Sequence, residues 1–243
     1  MQARRPSIAC LTPVSSTDLR LLLVLALMSC VPRVRVESAS AWKEADELLS
    51  SGELEEAAQK FTQLVDADPH FELADRALSN AAVCHELREQ FDQARALYER
   101  ILSEYPGSKL ADGALYLAAL NAERAQDFDR AIARYQQLVK QNPASPHCQP
   151  AVVKVVRILE ALRRYREAAP AYVRYAELFP HSGDAPRYLL RGAILYEQLG
   201  DSSAEFAALT AFLRRYSRIA GKDEVARTKA RLARLPSPRP DPP

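Results

Sequence analysis

The chain has 243 residues, room for one or two domains, and its 48% hydrophobic content is ample for a core. Charged residues at 26% exclude a typical disordered chain or a membrane bundle, while only 7 glycines and 7% aromatics disfavour an all-β sandwich and favour helices. The formal net charge of +2 is mildly basic, and its distribution along the chain matters more than its sum.

At the N-terminus Arg4, Arg5 and Arg20 precede the apolar run Leu21, Leu22, Leu23, Val24, Leu25, Ala26, Leu27. A positive region before a short apolar region predicts a secretory signal. The run is far below the roughly 20 apolar residues of a spanning helix. The residues that follow, Leu27-Met28-Ser29-Cys30, resemble the lipobox of bacterial lipoprotein signals. That resemblance implies cleavage before Cys30, lipidation of its thiol, and a periplasm-facing anchor. Val31, in place of the aspartate that marks inner-membrane retention, points to the outer membrane. Chain 1–29 is then the signal peptide and 30–40 a tether. The alternative is an ordinary signal cut near Ala39 or Ala41, leaving a periplasmic or secreted protein without an anchor. Residues 1–29 carry the whole net charge of +2; of the rest, 30–216 carries −4 and 217 onward +4.

The body repeats. Ala57, Ala94, Ala131 and Ala168 are 37 apart, as are Pro69, Pro106, Pro143 and Pro180. Phe61, Tyr98, Tyr135 and Tyr172 keep that spacing, and so do Leu54, Phe91, Phe128 and Tyr165. A fixed period in this range predicts an array of units, each too small to bury its own apolar face. Within one unit Leu78, Ala81, Ala82 and His85 make one helical stripe, and Phe91, Ala94, Tyr98, Ile101 and Leu102 a second. Arg88-Glu89-Gln90 forms the turn between them. Pro106 closes the unit, because proline has no N–H with which to continue a helix.

This order of residues resembles the tetratricopeptide repeat (TPR). Its large apolar residue, small pair, aromatic, alanine, aromatic and proline are matched by Leu78, Ala81-Ala82, His85, Ala94, Tyr98 and Pro106. The next unit offers Leu115, Ala118-Ala119, Ala122, Ala131, Tyr135 and Pro143. The stretch from Tyr105 to Tyr116 is similar to repeats of periplasmic TPR proteins of the YbgF/CpoB and BamD families and of gliding-motility complexes. The implied fold is an all-α, right-handed α-solenoid of about five TPR-like hairpins over 41–216, then a capping helix over 217–235. Pro236 to Pro243 reads as a proline-rich disordered tail. The period exceeds the family's usual 34 by three. Ser108, Ser145 and Ser182 are expected to absorb the excess by starting the next helix early. Pro170 falls inside a second helix and is expected to kink or delay it. Glu205 and Ser217 stand where the alanine and proline series end.

In TPR arrays the first helices line a concave surface. Repeat phase puts Trp42, Ser79, Tyr116, Val153 and Leu190 there, with Asp46, Val83, Leu120, Arg157 and Ile194 one turn on. One turn further come Leu49, Glu86, Glu123, Glu160 and Glu197. The four glutamates read as an acidic rail beside an apolar strip, suited to a partner segment carrying Lys or Arg and apolar anchors. The alternative is a solvated helix end, with Arg157 pairing to Glu160. Cys84, in an apolar pattern, reads as a small buried hydrophobe, and His70, His85, His147 and His181 as loop or core residues. There is no CxxC, HExxH, GxSxG or phosphate-cradling glycine loop, so no metal, cofactor, small-molecule substrate, nucleic acid or catalysis is expected. The weak alternative is a hydrolase with a site that no motif reveals. The expected role is a scaffold for envelope proteins or extended peptide segments, touching the membrane only through its anchor.

Overall fold

The computed structural model describes residues 37–236. The signal segment, Cys30, residues 30–36 of the tether and all of the tail but Pro236 lie outside them. Helix α1 covers 37–51. It is followed by α2 (Leu54–Ala67), α3 (Ala74–Leu87), α4 (Phe91–Glu104), α5 (Ala111–Arg124) and α6 (Phe128–Gln141). Then come α7 (Cys148–Ala161), α8 (Tyr165–Leu178), α9 (Ala185–Leu199), α10 (Ser202–Tyr216) and α11 (Lys222–Leu232). No strand occurs among the described residues. From α2 onward each helix packs on the next, and α1 joins α2 through Trp42 on Phe61 and the shared core around Ala45, giving five hairpins in a solenoid with α11 against α10.

The turn inside each hairpin is set by one backbone device. Gly52, Glu89, Gln126, Arg163 and Gly200 are 37 apart and all have positive φ, from 57° to 86°. In each turn that residue and the next donate back to the last helical carbonyls. Gln126 N–H reaches Glu123 at 3.0 Å and Asp127 N–H reaches Ala122 at 2.8 Å. This is a Schellman closure, and it satisfies carbonyls that would otherwise be orphaned. Only the end units use glycine; the three middle units hold a side chain there, against a cost of roughly 1–2 kcal/mol each. Asp127 and Asp201 then cap α6 and α10 by accepting from Arg130 N–H at 3.2 Å and Ala204 N–H at 3.0 Å.

The three extra residues per unit lie in the link between hairpins, not in the helices. Helices α3 to α8 are 14 residues long. Ser108 accepts from Leu110 N–H at 2.9 Å, and Ser145 and Ser182 do the same more loosely for His147 and Asp184. Each serine thus closes a turn, and the helix starts three residues after it rather than early. Pro170 also departs from expectation, since α8 runs through it from Tyr165 to Leu178. It sits on the exposed side, where water can bond the carbonyl that the missing N–H leaves free.

Burial follows the repeat. Ala57, Ala94, Ala131 and Ala168, with Phe61, Tyr98, Tyr135 and Tyr172, are all buried. The core falls into two clusters that share α5: Ala114 and Ala118 pack toward the N-terminal units, Leu115, Ala119 and Ala122 toward the C-terminal ones. Neighbour-only packing is what a solenoid requires. In the last unit Glu205 replaces the alanine and is buried, and Arg231 of α11 meets it at 2.6 Å.

Candidate functional site

The odd-numbered helices build one face of the array. Tyr116, Val153 and Leu190 are half-buried there, as are Leu120 and Ile194, while Val83 is 37% exposed. Trp42 belongs to the first unit's packing: its ring meets Phe61 at 5.3 Å and Phe71 at 6.2 Å. The apolar strip is therefore best formed from Tyr116 to Ile194.

The glutamate row is not an open rail. Tyr135 donates its hydroxyl to Glu123 at 3.1 Å, and Lys154 of the next unit takes the other carboxylate oxygen at 3.0 Å. Tyr172 donates to Glu160 at 2.6 Å, and Arg191 of the next unit donates at 2.8 Å. Glu86 accepts from Asn121 of the following unit, with Arg124 at 3.6 Å. Glu197 lies 3.1 Å from Arg231 of α11. Side-chain exposure is 17%, 24% and 28% for Glu86, Glu123 and Glu160, against 59% for Glu197. The first three are half-buried braces between units, and only Glu197 offers a wet carboxylate. Burial, then the adjacent glutamate, pushes the hydroxyls of Tyr98 and Tyr135 up in pKa; for Tyr172 burial and the Glu160 hydrogen bond do so.

Arg157 is left over. Glu160, its expected partner, is occupied by Arg191 and Tyr172, and Arg157 is exposed with no ion pair among the described residues. Two surface cavities meet at it. One, of about 340 Å³, is lined by Tyr116, Val153, Arg157 and Asp184 among others; the second, of about 400 Å³, by Arg157, Glu160, Tyr165 and Arg191. Tyr116 is held in place by stacking on His147 at 5.3 Å and by Tyr135 at 5.5 Å. The arrangement presents an aromatic ring, an aliphatic floor and one uncompensated guanidinium. Asp184 nearby is engaged by Arg187 at 2.9 Å.

Sequence reasoning missed Lys154, Arg191 and the tyrosine hydroxyls as partners of the glutamates. The signal was available: Glu123–Lys154 and Glu160–Arg191 are both 31 apart, and each tyrosine follows its glutamate by 12. No group of three or more His, Cys, Asp and Glu residues is placed to hold a metal among the described residues, and no described helix is long and apolar enough to cross a membrane.

Two family models match the chain, both described as tetratricopeptide repeat, over residues 43–109 and 113–145. Among solved structures, a tetratricopeptide repeat protein from Parabacteroides merdae ATCC 43184 is similar at 17% identity. The match covers 80% of this chain and 72% of that one, with a TM-score of 0.50. The Naa15/Naa10 complex bound to HypK-THB contains a similar chain at 16% identity and a TM-score of 0.51, over 81% of this chain but 28% of that one. MamA matches at 18% identity and a TM-score of 0.48, over 79% of this chain and 97% of its own. No curated protein matches the chain.

Proposed function

The chain is a tetratricopeptide repeat protein, and on that premise we propose that it is a non-catalytic scaffold whose odd-helix face holds an extended segment of a partner protein. The observation that carries this reading is Arg157, unpaired between two cavities and beside the Tyr116–Val153 strip. With the glutamates engaged internally, the free charge on this part of the face is positive. The partner segment therefore brings a carboxylate to Arg157 and apolar side chains to Tyr116, Val153, Leu190 and Ile194, the reverse of the basic partner that the glutamate row suggested.

The scaffold works from a lipid anchor. The lipobox-like Leu27-Met28-Ser29-Cys30 supports acylation at Cys30, and Val31 supports an outer-membrane, periplasm-facing position. Several acyl chains on one cysteine anchor firmly, since each buried CH₂ contributes about 0.8 kcal/mol. Partners are then other envelope proteins, in assembly, division or motility machinery. A photocrosslinking residue at Val153 tests the binding face, with Gln93 on an even helix as control. The expected result is a discrete crosslinked product from Val153 that disappears in R157E. Equal crosslinking from both positions, or no effect of R157E, would sink the reading.

A further inference from the structure

A second concavity lies on the opposite face, between α6 and α8, with α7 as its floor; its volume is about 420 Å³. Three departures from the repeat produce it. Where Leu78, Leu115 and Leu189 stand in other units, α7 has the shorter Val152. Where Ala81, Ala118 and Gly192 stand, it has Val155. That phase faces the preceding even helix closely: a Cβ on Gly192 would meet Val173 Cγ2 at 3.0 Å and the Ala169 carbonyl oxygen at 3.1 Å. A valine there is bulkier than the alanine or glycine of the other units, and α7 packs less closely on α6 and α8 than α5 does on α4 and α6. The third departure removes a cover. Arg134 bridges α6 to Glu99 of α4 at 3.3 Å. One unit on, the same two positions are Ala171 and Gln136, and both line the cleft.

Charge gives the cleft its selectivity. Asp66 of α2 and Arg100 of α4 form an ion pair at 2.8 Å. Two units on, that register holds Lys140 on α6 and Arg174 on α8, both at the cleft. Arg174 shares Glu177 of its own helix at 3.5 Å with both side chains exposed; Lys140 has no carboxylate partner among the described residues. Two cations thus replace an ion pair above a floor of Val152 and Val155, which are 5% and 3% exposed.

We infer that this even-helix cleft is a second docking site, taking a protein segment that inserts a large apolar side chain over Val152 and Val155 and sets a carboxylate between Lys140 and Arg174. The cleft opens along its solvent side. A small ligand would keep much of its surface wet there, whereas a docked side chain is covered by its own backbone. The charge pattern excludes a basic segment, because Lys140 and Arg174 would face like charge.

The test is selection of a random 16-residue display library on the whole chain, followed by fluorescence anisotropy of the enriched peptides. Two variants close the cleft differently. K140D recreates the Asp66–Arg100 type of pair with Arg174, and A171R restores the cover that Arg134 supplies one unit earlier. The selection is made on R157E, so that the odd-helix face is not sampled. Enriched peptides should carry Asp or Glu within four residues of Leu, Phe or Trp, and should bind at least 10-fold more weakly to both variants. Binding should be unchanged in R157E, which separates this site from the odd-helix face. No enrichment, enriched peptides without an acid, or full binding to both variants would overturn the assignment. So would dodecanoate binding that K140D abolishes while no peptide is enriched, since the occupant would then be a free anionic amphiphile.

Discussion

Arg231 of the last helix donates from Nε to the buried carboxylate of Glu205 at 2.6 Å, and its Nη2 reaches Glu197 and the Ala193 carbonyl oxygen. Glu205 occupies the phase of Ala57, Ala94, Ala131 and Ala168, where two helices cross closely. A charge at that point is tolerable only with a cation beside it, and α11 brings that cation. The irregular last repeat and the capping helix are one device.

Removing the cation alone should therefore be severe. R231A leaves a carboxylate 4% exposed without its partner, and we expect a loss of about 3 kcal/mol in urea unfolding. The double variant E205A/R231A restores the repeat's alanine and should recover most of that loss. A double variant no more stable than R231A would show that Glu205 is not the reason Arg231 is needed.

The tyrosine–glutamate braces should count toward stability before binding. Y172F takes the hydroxyl from Glu160, and a hydrogen bond to a charged acceptor contributes about 1.5–3 kcal/mol when well buried. Glu160 is 28% exposed, so a loss nearer 1 kcal/mol is expected. A double-mutant cycle with E160Q should show coupling between the two. Additive effects would mean that the bond is not maintained in solution.

Alkaline pH should loosen the same braces. The folded state holds the protons of Tyr135 and Tyr172 above the ordinary phenol pKa, chiefly because the rings are buried. The unfolded chain releases them near pH 10. Above that pH the native state binds more protons than the unfolded one, so stability is full below about pH 10 and falls as pH rises. Urea midpoints at pH 8, 10 and 11 should decline less steeply in Y135F/Y172F than in the parent. Parallel declines would contradict the assignment.

The proposed membrane anchor is tested at Cys30. The C30A variant should move from the membrane fraction to the soluble periplasmic fraction, with its helical circular dichroism unchanged. Retention in the membrane fraction would remove the acyl anchor from the account.

The repeat was legible because each unit makes the same contacts, so period, helix positions and buried alanines and aromatics are written in parallel series. The turn at Arg88-Glu89-Gln90 was legible as polar residues, but not as a left-handed closure, because Glu89, Gln126 and Arg163 are not residues that announce positive φ. Ser108 suits a helix start as well as a turn, because a side-chain oxygen can cap either; only the six-residue link decides between them. The glutamates were legible as a row and misleading as a surface. Their partners, Lys154 and Arg191, lie one unit on, and nothing local ties a residue to another 31 positions away.

The helices, their pairing and the register of the array follow from the order of residues, since a 37-residue period of apolar side chains can be buried only by stacking like units. Which charges remain available depends instead on how the units stack. Ion pairs form between side chains brought together by stacking, so Glu123 and Glu160 are consumed between units while Arg157 and Lys140 face solvent without a carboxylate among the described residues.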